Sequence, residues 1–363
     1  MRGVAAIAVM IFHLTLPSQI LTFGGHELFR ASYLAVDLFF ILSGFVIYHS
    51  YAAKLSGALS PQDYVLKRII RIYPMYLVGL LIGAAGLLLM IRVGAAEISL
   101  KSLIAGTIFN MSGLPYPNFD TTANFGVLPP KRGELFPANP PAWSLFFEMV
   151  ASVYFLFVYN KGQDDLKKIC LSALVVFLGL SAVFSVAGRL GEFSLNLGWG
   201  TGNFIVGVPR VIFGFTVGIY LYKGLQAGAF EKLARFKSIG HAGLYAAILA
   251  ALIMPVAAGG LYSILFICVI APALVIIGAG VRPTGAAERV SDILGWMSYP
   301  VYCLHLPVGR IVYIAGSHMG LPTLAVQAAS FALTLAAAYA VGRYVDEPLR
   351  NWLSGKTFAA RQG

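Results

Sequence analysis

Charged residues are scarce in this sequence. They make up 11% of its 363 residues, whereas hydrophobic residues make up 58%, and soluble domains carry roughly 25% charged residues. A soluble globular protein of this size needs more charge than this to cover its surface. The composition therefore excludes a soluble globular protein and a disordered chain, and it indicates a protein embedded in a membrane.

Cysteine is scarce as well, and several familiar motifs are absent. The three cysteines, Cys170, Cys268 and Cys303, all lie in apolar runs, and no CxxC pair occurs. The sequence contains no P-loop, no GxSxG motif and no cluster of residues with the spacing of metal ligands. We therefore expect no disulfide scaffold and no bound metal.

Long apolar runs are abundant instead. The runs of spanning length lie at about 2–21, 31–51, 73–91, 142–159, 169–188, 204–222, 242–258, 261–281, 295–315 and 321–345. They predict an all-α polytopic membrane protein with about ten transmembrane helices. The weaker stretch 98–112 predicts a short or re-entrant helix. We expect a single transmembrane domain over 1–345, followed by a short cytoplasmic tail at 346–363.

The distribution of basic residues predicts the orientation of these helices. The chain has 26 Lys and Arg against 15 Asp and Glu. Ten crossings that start from a cytoplasmic N-terminus place most of the basic residues in cytoplasmic loops, as in other membrane proteins. We therefore expect both termini in the cytoplasm and 113–140 outside. The positive charge then faces membrane lipids, and we expect no nucleic-acid partner.

A few ionisable residues lie within these runs. Ionisable groups are expensive inside a bilayer, so each one is a candidate functional residue. The residues are His13, Asp37, Glu148, Arg210, His305 and Arg310. We therefore look for the function among these side chains and their sequence neighbours.

His13 is the first candidate for catalysis. It lies 11 residues after Arg2, so the two side chains share one helix face and are about 16 Å apart along the axis. An imidazole at this depth is either a general base or a group hydrogen-bonded to a neighbouring helix. Asp37 needs a partner among His13, Arg210 and Arg310. With His13 it would orient a base, and with an arginine it would form a structural ion pair.

The segment that begins at Trp143 combines an indole, a hydroxyl and a carboxylate. Ser144 and Glu148 are four residues apart and therefore share a helix face, which we expect close to the outer surface. This combination suits a sugar or another polyol. Ser144 is alternatively part of a helix N-terminal cap.

A basic segment lies between the second and third apolar runs. Lys67, Arg68 and Arg71 fall on one side of it, with apolar residues between them. One interpretation is an amphipathic helix at the anionic lipid surface. The other is a site for a polyanion, because arginine binds phosphate groups through two parallel hydrogen bonds.

His305 is predicted near the middle of the membrane, in a helix that Pro300 and Pro307 are expected to interrupt. It is either a functional residue or a buried histidine bonded to its neighbours.

Several of these stretches together resemble motifs of the acyltransferase-3 family of integral membrane O-acyltransferases. Arg2 and His13 resemble the R-x10-H motif of that family. The other resembling segments are 37–45 (with FFxxSGF), 67–74 (KRxxRIYP), 141–148 (with WSLxxE), 210–218 (RxxFxxxxG) and 299–307 (YxxYxxHxP). The motifs occur in order along nearly the whole chain.

The resemblance implies about ten transmembrane helices and transfer of an acyl group, commonly acetyl, from cytoplasmic acyl-CoA to a hydroxyl of an extracytoplasmic saccharide or glycolipid. It implies a catalytic role for His13 and a position near the CoA phosphates for Arg2, Arg68 and Arg71, to which we add Lys67. It also places Glu148 near the acceptor or the reacting centre.

We therefore expect His13, Glu148 and Asp37 in catalysis, with acetyl-CoA as co-substrate and a bacterial inner membrane as the location. Substrate contacts are assigned to Trp143, Ser144, Arg210, Tyr302 and His305. The alternative function is a transporter of a carbohydrate or a lipid-linked precursor, which would use the same buried charges as a substrate path.

Overall fold

The structure is a computed structural model. It describes residues 1–15, 22–23, 26–27, 29–96, 98–117, 133–187, 193–230, 233, 239–253 and 259–359. In these ranges the chain is helical except for connecting segments and one antiparallel pair of two-residue strands, β1 (Thr22–Phe23) and β2 (His26–Glu27). The all-α prediction is therefore correct.

The helices follow the apolar runs. They are α1 (Arg2–Thr15), α2 (Ala35–Leu55), α3 (Pro61–Arg92), α4 (Leu100–Met111), α5 (Ala142–Val158), α6 (Gln163–Ala187), α7 (Gly207–Gln226), α8 (Gly240–Ile253), α9 (Gly259–Leu265), α10 (Ala271–Gly280), α11 (Ala286–His318), α12 (Thr323–Val341) and α13 (Glu347–Ala359). Short 3-10 helices at Arg30–Leu34 and Phe204–Val206 precede α2 and α7, and a π-helix at Phe266–Ile270 joins α9 to α10.

Six helical segments of the described chain are long and apolar enough to cross a membrane. They are Ala31–Leu55, Pro61–Arg92, Gln163–Val186, Phe204–Gln226, Gly259–Gly280 and Thr323–Thr357. Three shorter helices, α1, α5 and α8, are also apolar. The chain is thus a polytopic membrane protein, while ten crossings and cytoplasmic termini remain predictions. The stretch 98–112 forms α4, whose 12 residues make it a short helix, as expected.

The basic segment is part of a helix rather than a connection. We expected Lys67, Arg68 and Arg71 to lie between two helices, but α3 begins at Pro61 and runs through them. Ser60 explains this start, because its hydroxyl accepts a hydrogen bond from the Asp63 backbone N–H and caps the helix. Proline then occupies the first turn, where a missing N–H costs nothing. The three basic residues are therefore held at fixed positions on a rigid helix.

The expectation about the two prolines is also wrong. Pro300 and Pro307 do not interrupt their helix, since α11 is continuous from Ala286 to His318. Neighbouring helices make such prolines tolerable in membrane proteins. A π-helix at Gly342–Asp346 leads from α12 into α13, which packs against α3, and the cytoplasmic tail at 346–363 stays a prediction.

Glycines allow α2 and α7 to pack backbone against backbone. A Cβ atom on Gly44 would lie 1.9 Å from the Phe215 carbonyl oxygen, and one on Gly218 would lie 2.1 Å from the Ile41 carbonyl oxygen. Small residues at such crossings are typical of membrane helices. This contact places Ser43 and Asp37 of α2 at fixed positions beside α7.

We expect Gly44→Ala to lower the thermal unfolding temperature of the purified protein, because its methyl group must push the two helices apart. Overpacking of this kind typically costs about 1–3 kcal/mol. Gly179→Ala on α6 is the matched control, since nothing lies within 4 Å of its Cβ position. Equal unfolding temperatures for the two variants would contradict the close contact.

Candidate functional site

Two small cavities lie on either side of Tyr302 and Val36, which line both of them. The first, of about 110 Å³, is called the arginine pocket and includes Arg2, Arg68, Arg71 and Glu148 in its lining. The second, of about 100 Å³, is called the histidine pocket and includes His13, Glu134, Trp143, Asn196 and Trp199. Because Arg2 and His13 lie about 16 Å apart on one face of α1, the two pockets open toward different ends of that helix.

The arginine pocket brings together side chains from five helices, α1, α2, α3, α5 and α11. The Arg2 guanidinium donates to the Ser43 hydroxyl at 3.0 Å. Arg68 donates to the Glu148 carboxylate at 2.8 Å and to the Ser152 hydroxyl at 3.1 Å. Three guanidinium groups against one carboxylate leave the pocket net positive, so it suits an anionic ligand.

The three basic residues of the segment differ in how deeply they are buried. Arg68 is only 9% exposed and lines the pocket, so it does not lie on the lipid surface. Arg71 is more exposed but also lines the pocket, with its guanidinium 5.4 Å from the centre of the Tyr299 ring. Lys67, on the other hand, is not among the described residues that line this pocket.

The histidine pocket has the chemistry of a polyol site. Trp143 and Trp199 supply flat apolar surfaces, and Glu134 and Asn196 supply polar groups beside His13. Stacking on an indole together with hydrogen bonds to hydroxyl groups is how such sites hold sugar rings. The pocket therefore offers stacking surfaces and hydrogen-bonding groups next to an imidazole.

Tyr302 forms the wall between the pockets. Its hydroxyl lies 2.7 Å from the Ser144 Oγ, which in turn donates to the Pro141 carbonyl oxygen at 3.0 Å. Its ring makes an edge contact with Phe39 at 5.7 Å between centroids. A group passing from one pocket to the other must pass this side chain.

The two candidate histidines meet directly. His13 Nδ1 lies 2.9 Å from His305 Nε2, and the two rings are within 15° of parallel. His305 is fully buried and is not part of the described lining of either pocket. The structure therefore places His305 behind His13, whereas the sequence assigned it to substrate binding.

Asp37 forms a buried ion pair with Arg210, one of its three candidate partners. Arg210 donates to both carboxylate oxygens at 2.8 and 2.7 Å, and its third nitrogen donates to the Leu197 carbonyl oxygen at 2.7 Å. Its guanidinium also lies 5.4 Å from the centre of the Trp143 ring. Asp37 thus forms the structural ion pair that the sequence offered as one of its two interpretations, and the catalytic role of Asp37 and the substrate contact of Arg210 stay predictions.

Arg310 is a further buried arginine, and it binds the backbone of the segment before α5. It donates to the carbonyl oxygens of Pro137 and Ala138, and its nearest approach to the Glu134 carboxylate is 4.0 Å. It therefore ties the segment before α5 to α11.

The expected position of Glu148 beside Trp143 is wrong. Trp143 lines the histidine pocket, whereas Glu148 lies with the arginines. Five residues along a helix turn a side chain by about 140° and shift it by about 7.5 Å, which places the two on different faces of α5. Ser144 and Glu148 do share a face, as their spacing predicts, because both line the arginine pocket.

Sequence reasoning missed several lining residues. Glu134, Asn196 and Trp199 lie in connecting segments, where neither periodicity nor burial in an apolar run marks them. Ser43 and Tyr299 appeared within resembling motifs but received no role. Glu134 and Asn196 could not be found by the search for ionisable residues within apolar runs, because their segments contain no such run.

Comparison with known proteins agrees with these features. Residues 1–343 match the acyltransferase-3 family, described as an acyltransferase domain. "Protein 2 in picA locus" of Rhizobium radiobacter is 34% identical over 168 residues, which cover 42% of this chain and 76% of that protein. No solved structure matches the chain. The match over nearly all of the sequence shows that this protein is an integral membrane acyltransferase and belongs to the acyltransferase-3 family.

Proposed function

We propose that this protein moves an acetyl group from cytoplasmic acetyl-CoA to a hydroxyl of a saccharide or glycolipid on the opposite side of a bacterial inner membrane. The observation that carries this proposal is the pair of pockets that meet at Tyr302, one positive and one lined by indoles and His13. An acyl transfer across a membrane needs such an arrangement, because its donor and acceptor arrive from different sides.

The arginine pocket is the proposed donor site. CoA carries several phosphate groups, and Arg2, Arg68 and Arg71 supply the charge and the paired N–H groups that bind them. The acyl end of the donor then points past Tyr302 toward His13. Acetyl is the acyl group that the resemblance to the family implies.

His13 is the proposed general base. Its imidazole takes the proton of the acceptor hydroxyl while that oxygen forms a bond to the thioester carbonyl carbon. The carbon–sulfur bond then breaks, and the imidazolium returns a proton to the CoA thiolate. Trp143, Trp199 and Asn196 hold the acceptor in the histidine pocket, and the Tyr302 and Ser144 hydroxyls border the path of the thioester.

A binding measurement tests the donor. A ligand that binds only the native state raises the apparent stability, by about 2.7 kcal/mol at 100 times its Kd. We therefore expect saturating acetyl-CoA to raise the unfolding temperature of the detergent-solubilised protein, and we expect an Arg68→Ala/Arg71→Ala variant to lose this rise. Arg92→Ala, at the exposed far end of α3, is the matched control and should keep it.

A transfer assay tests the reaction and separates it from transport. Proteoliposomes that contain the protein are incubated with radiolabelled acetyl-CoA and a bacterial membrane extract that contains lipid-linked saccharides. The radioactivity that the saccharides release on treatment with alkali is then counted, because alkali cleaves acetyl esters. We expect ester-linked label to appear with this protein and not with empty vesicles. A protein that binds no acetyl-CoA and moves a labelled sugar into the vesicles without it would be a transporter, and the proposal would fail.

A further inference from the structure

We infer that His305 is a positioning residue that sets the tautomer of His13 and stabilises the imidazolium that forms there during the reaction. The catalytic part of this inference rests on the proposed function of His13 as general base. The tautomer itself is a property of the structure and can be measured without any activity.

The inference starts from the hydrogen bond between His305 and its own helix. His305 Nδ1 lies 3.1 Å from the Val301 carbonyl oxygen, one turn earlier in α11. A carbonyl oxygen only accepts hydrogen bonds, so Nδ1 must carry the proton. His305 is fully buried, where a neutral ring with both nitrogens bonded is far less costly than a charged one. Its Nε2 is therefore an acceptor.

The acceptor on His305 determines the proton position on His13. His13 Nδ1 lies 2.9 Å from His305 Nε2. Since His305 Nε2 has no proton to give, the proton between the rings belongs to His13 Nδ1. In a neutral imidazole the other nitrogen then carries the lone pair, so Nε2 is the basic nitrogen of His13.

This chain of bonds resembles the role of an orienting acid beside a catalytic histidine, with a neutral imidazole in place of the carboxylate. In such systems the orienting group fixes the tautomer and stabilises the imidazolium without itself taking the proton. Here two hydrogen bonds run in the same direction: His13 Nδ1–H donates to His305 Nε2, and His305 Nδ1–H donates to the Val301 carbonyl oxygen. When His13 becomes charged, its Nδ1–H bond to His305 becomes charge-assisted and stronger. The Asp37 carboxylate pairs with Arg210 through both of its oxygens, whereas His305 is the group bonded to His13 Nδ1.

Two variants of His305 separate positioning from packing. His305→Gln keeps an amide oxygen that accepts from His13 Nδ1–H, and it keeps N–H groups that donate to the Val301 carbonyl. His305→Phe fills the space of the ring but accepts nothing. We expect kcat of acetyl transfer to fall by about 10²-fold in His305→Phe, within the range that a general base contributes, and to be largely retained in His305→Gln. The KM for acetyl-CoA should stay unchanged in both, because His305 does not line the described arginine pocket. Equal loss in both variants would show a packing role and overturn the inference.

Nitrogen NMR gives a readout that does not depend on activity. Protein with 15N-labelled histidine is placed in bilayers, and the His13 signals are assigned by their loss in His13→Ala. We expect neutral His13 with its proton on Nδ1 in the wild type, and a mixture of tautomers in His305→Phe. A wild-type His13 with its proton on Nε2 would overturn the inference whatever the activity. The expected tautomer in a protein that transfers no acetyl group would instead leave the positioning intact and contradict the proposed function.

Discussion

Replacement of His13 by alanine is expected to reduce acetyl transfer by about 10²–10⁴-fold while acetyl-CoA still binds. A general base contributes rate enhancements of this size, and His13 is the residue of the histidine pocket that can accept a proton near neutral pH. The donor phosphates are proposed to lie in the other pocket, on Arg2, Arg68 and Arg71. The substitution should therefore change the rate and leave the rise in unfolding temperature with acetyl-CoA unchanged.

The matched control for this experiment is His318→Ala. His318 is exposed at the end of α11, so its loss removes an imidazole from the protein without touching either pocket. We expect wild-type transfer and wild-type donor binding in this variant. Near-normal transfer by His13→Ala would remove His13 from the mechanism, and a loss of donor binding in His13→Ala would mean that the two pockets are not separate sites.

Much of the fold could be predicted from the sequence because membrane helices depend on properties that are local. The apolar runs predicted the helices, and the short length of 98–112 predicted the short helix α4. The early start of α3 could have been predicted from Ser60 and Pro61, which together form a recognisable helix N-terminus. Pro300 and Pro307 lie within a continuous helix. Neighbouring helices support the backbone at these prolines, and the sequence alone does not show which helices are neighbours.

The site was only partly predictable, because its geometry depends on the contacts between helices. Spacing alone placed Ser144 and Glu148 on one face, and both do line the same pocket. Spacing could not select Arg210 as the partner of Asp37 from three candidates, since that choice depends on how α2 and α7 pack through Gly44 and Gly218. The contact between His13 and His305 likewise joins residues 292 positions apart. Helix periodicity carries no information at that distance.

The second large effect is expected at Arg68 on donor binding. Arg68→Ala removes a buried guanidinium that provides charge-assisted hydrogen bonds, each worth roughly 1.5–3 kcal/mol. Since about 1.4 kcal/mol corresponds to a factor of ten, the Kd of acetyl-CoA should rise by about 10- to 100-fold. Titration of the purified protein with acetyl-CoA by calorimetry measures this change, and Arg92→Ala again serves as the control on the same helix.

A substitution of Glu148 is expected to change acetyl-CoA binding in the opposite direction. The Glu148 carboxylate competes with any anionic ligand for the Arg68 guanidinium. In the structure its carboxylate lies 2.8 Å from Arg68, so a donor phosphate must replace that contact or share it. Glu148→Gln keeps the shape of the side chain and removes its charge. We therefore expect acetyl-CoA to bind this variant more tightly than the wild type, opposite to Arg68→Ala. If the two variants instead weaken binding to the same extent, the Arg68–Glu148 pair serves as a structural contact, and the donor phosphates must bind elsewhere in the protein.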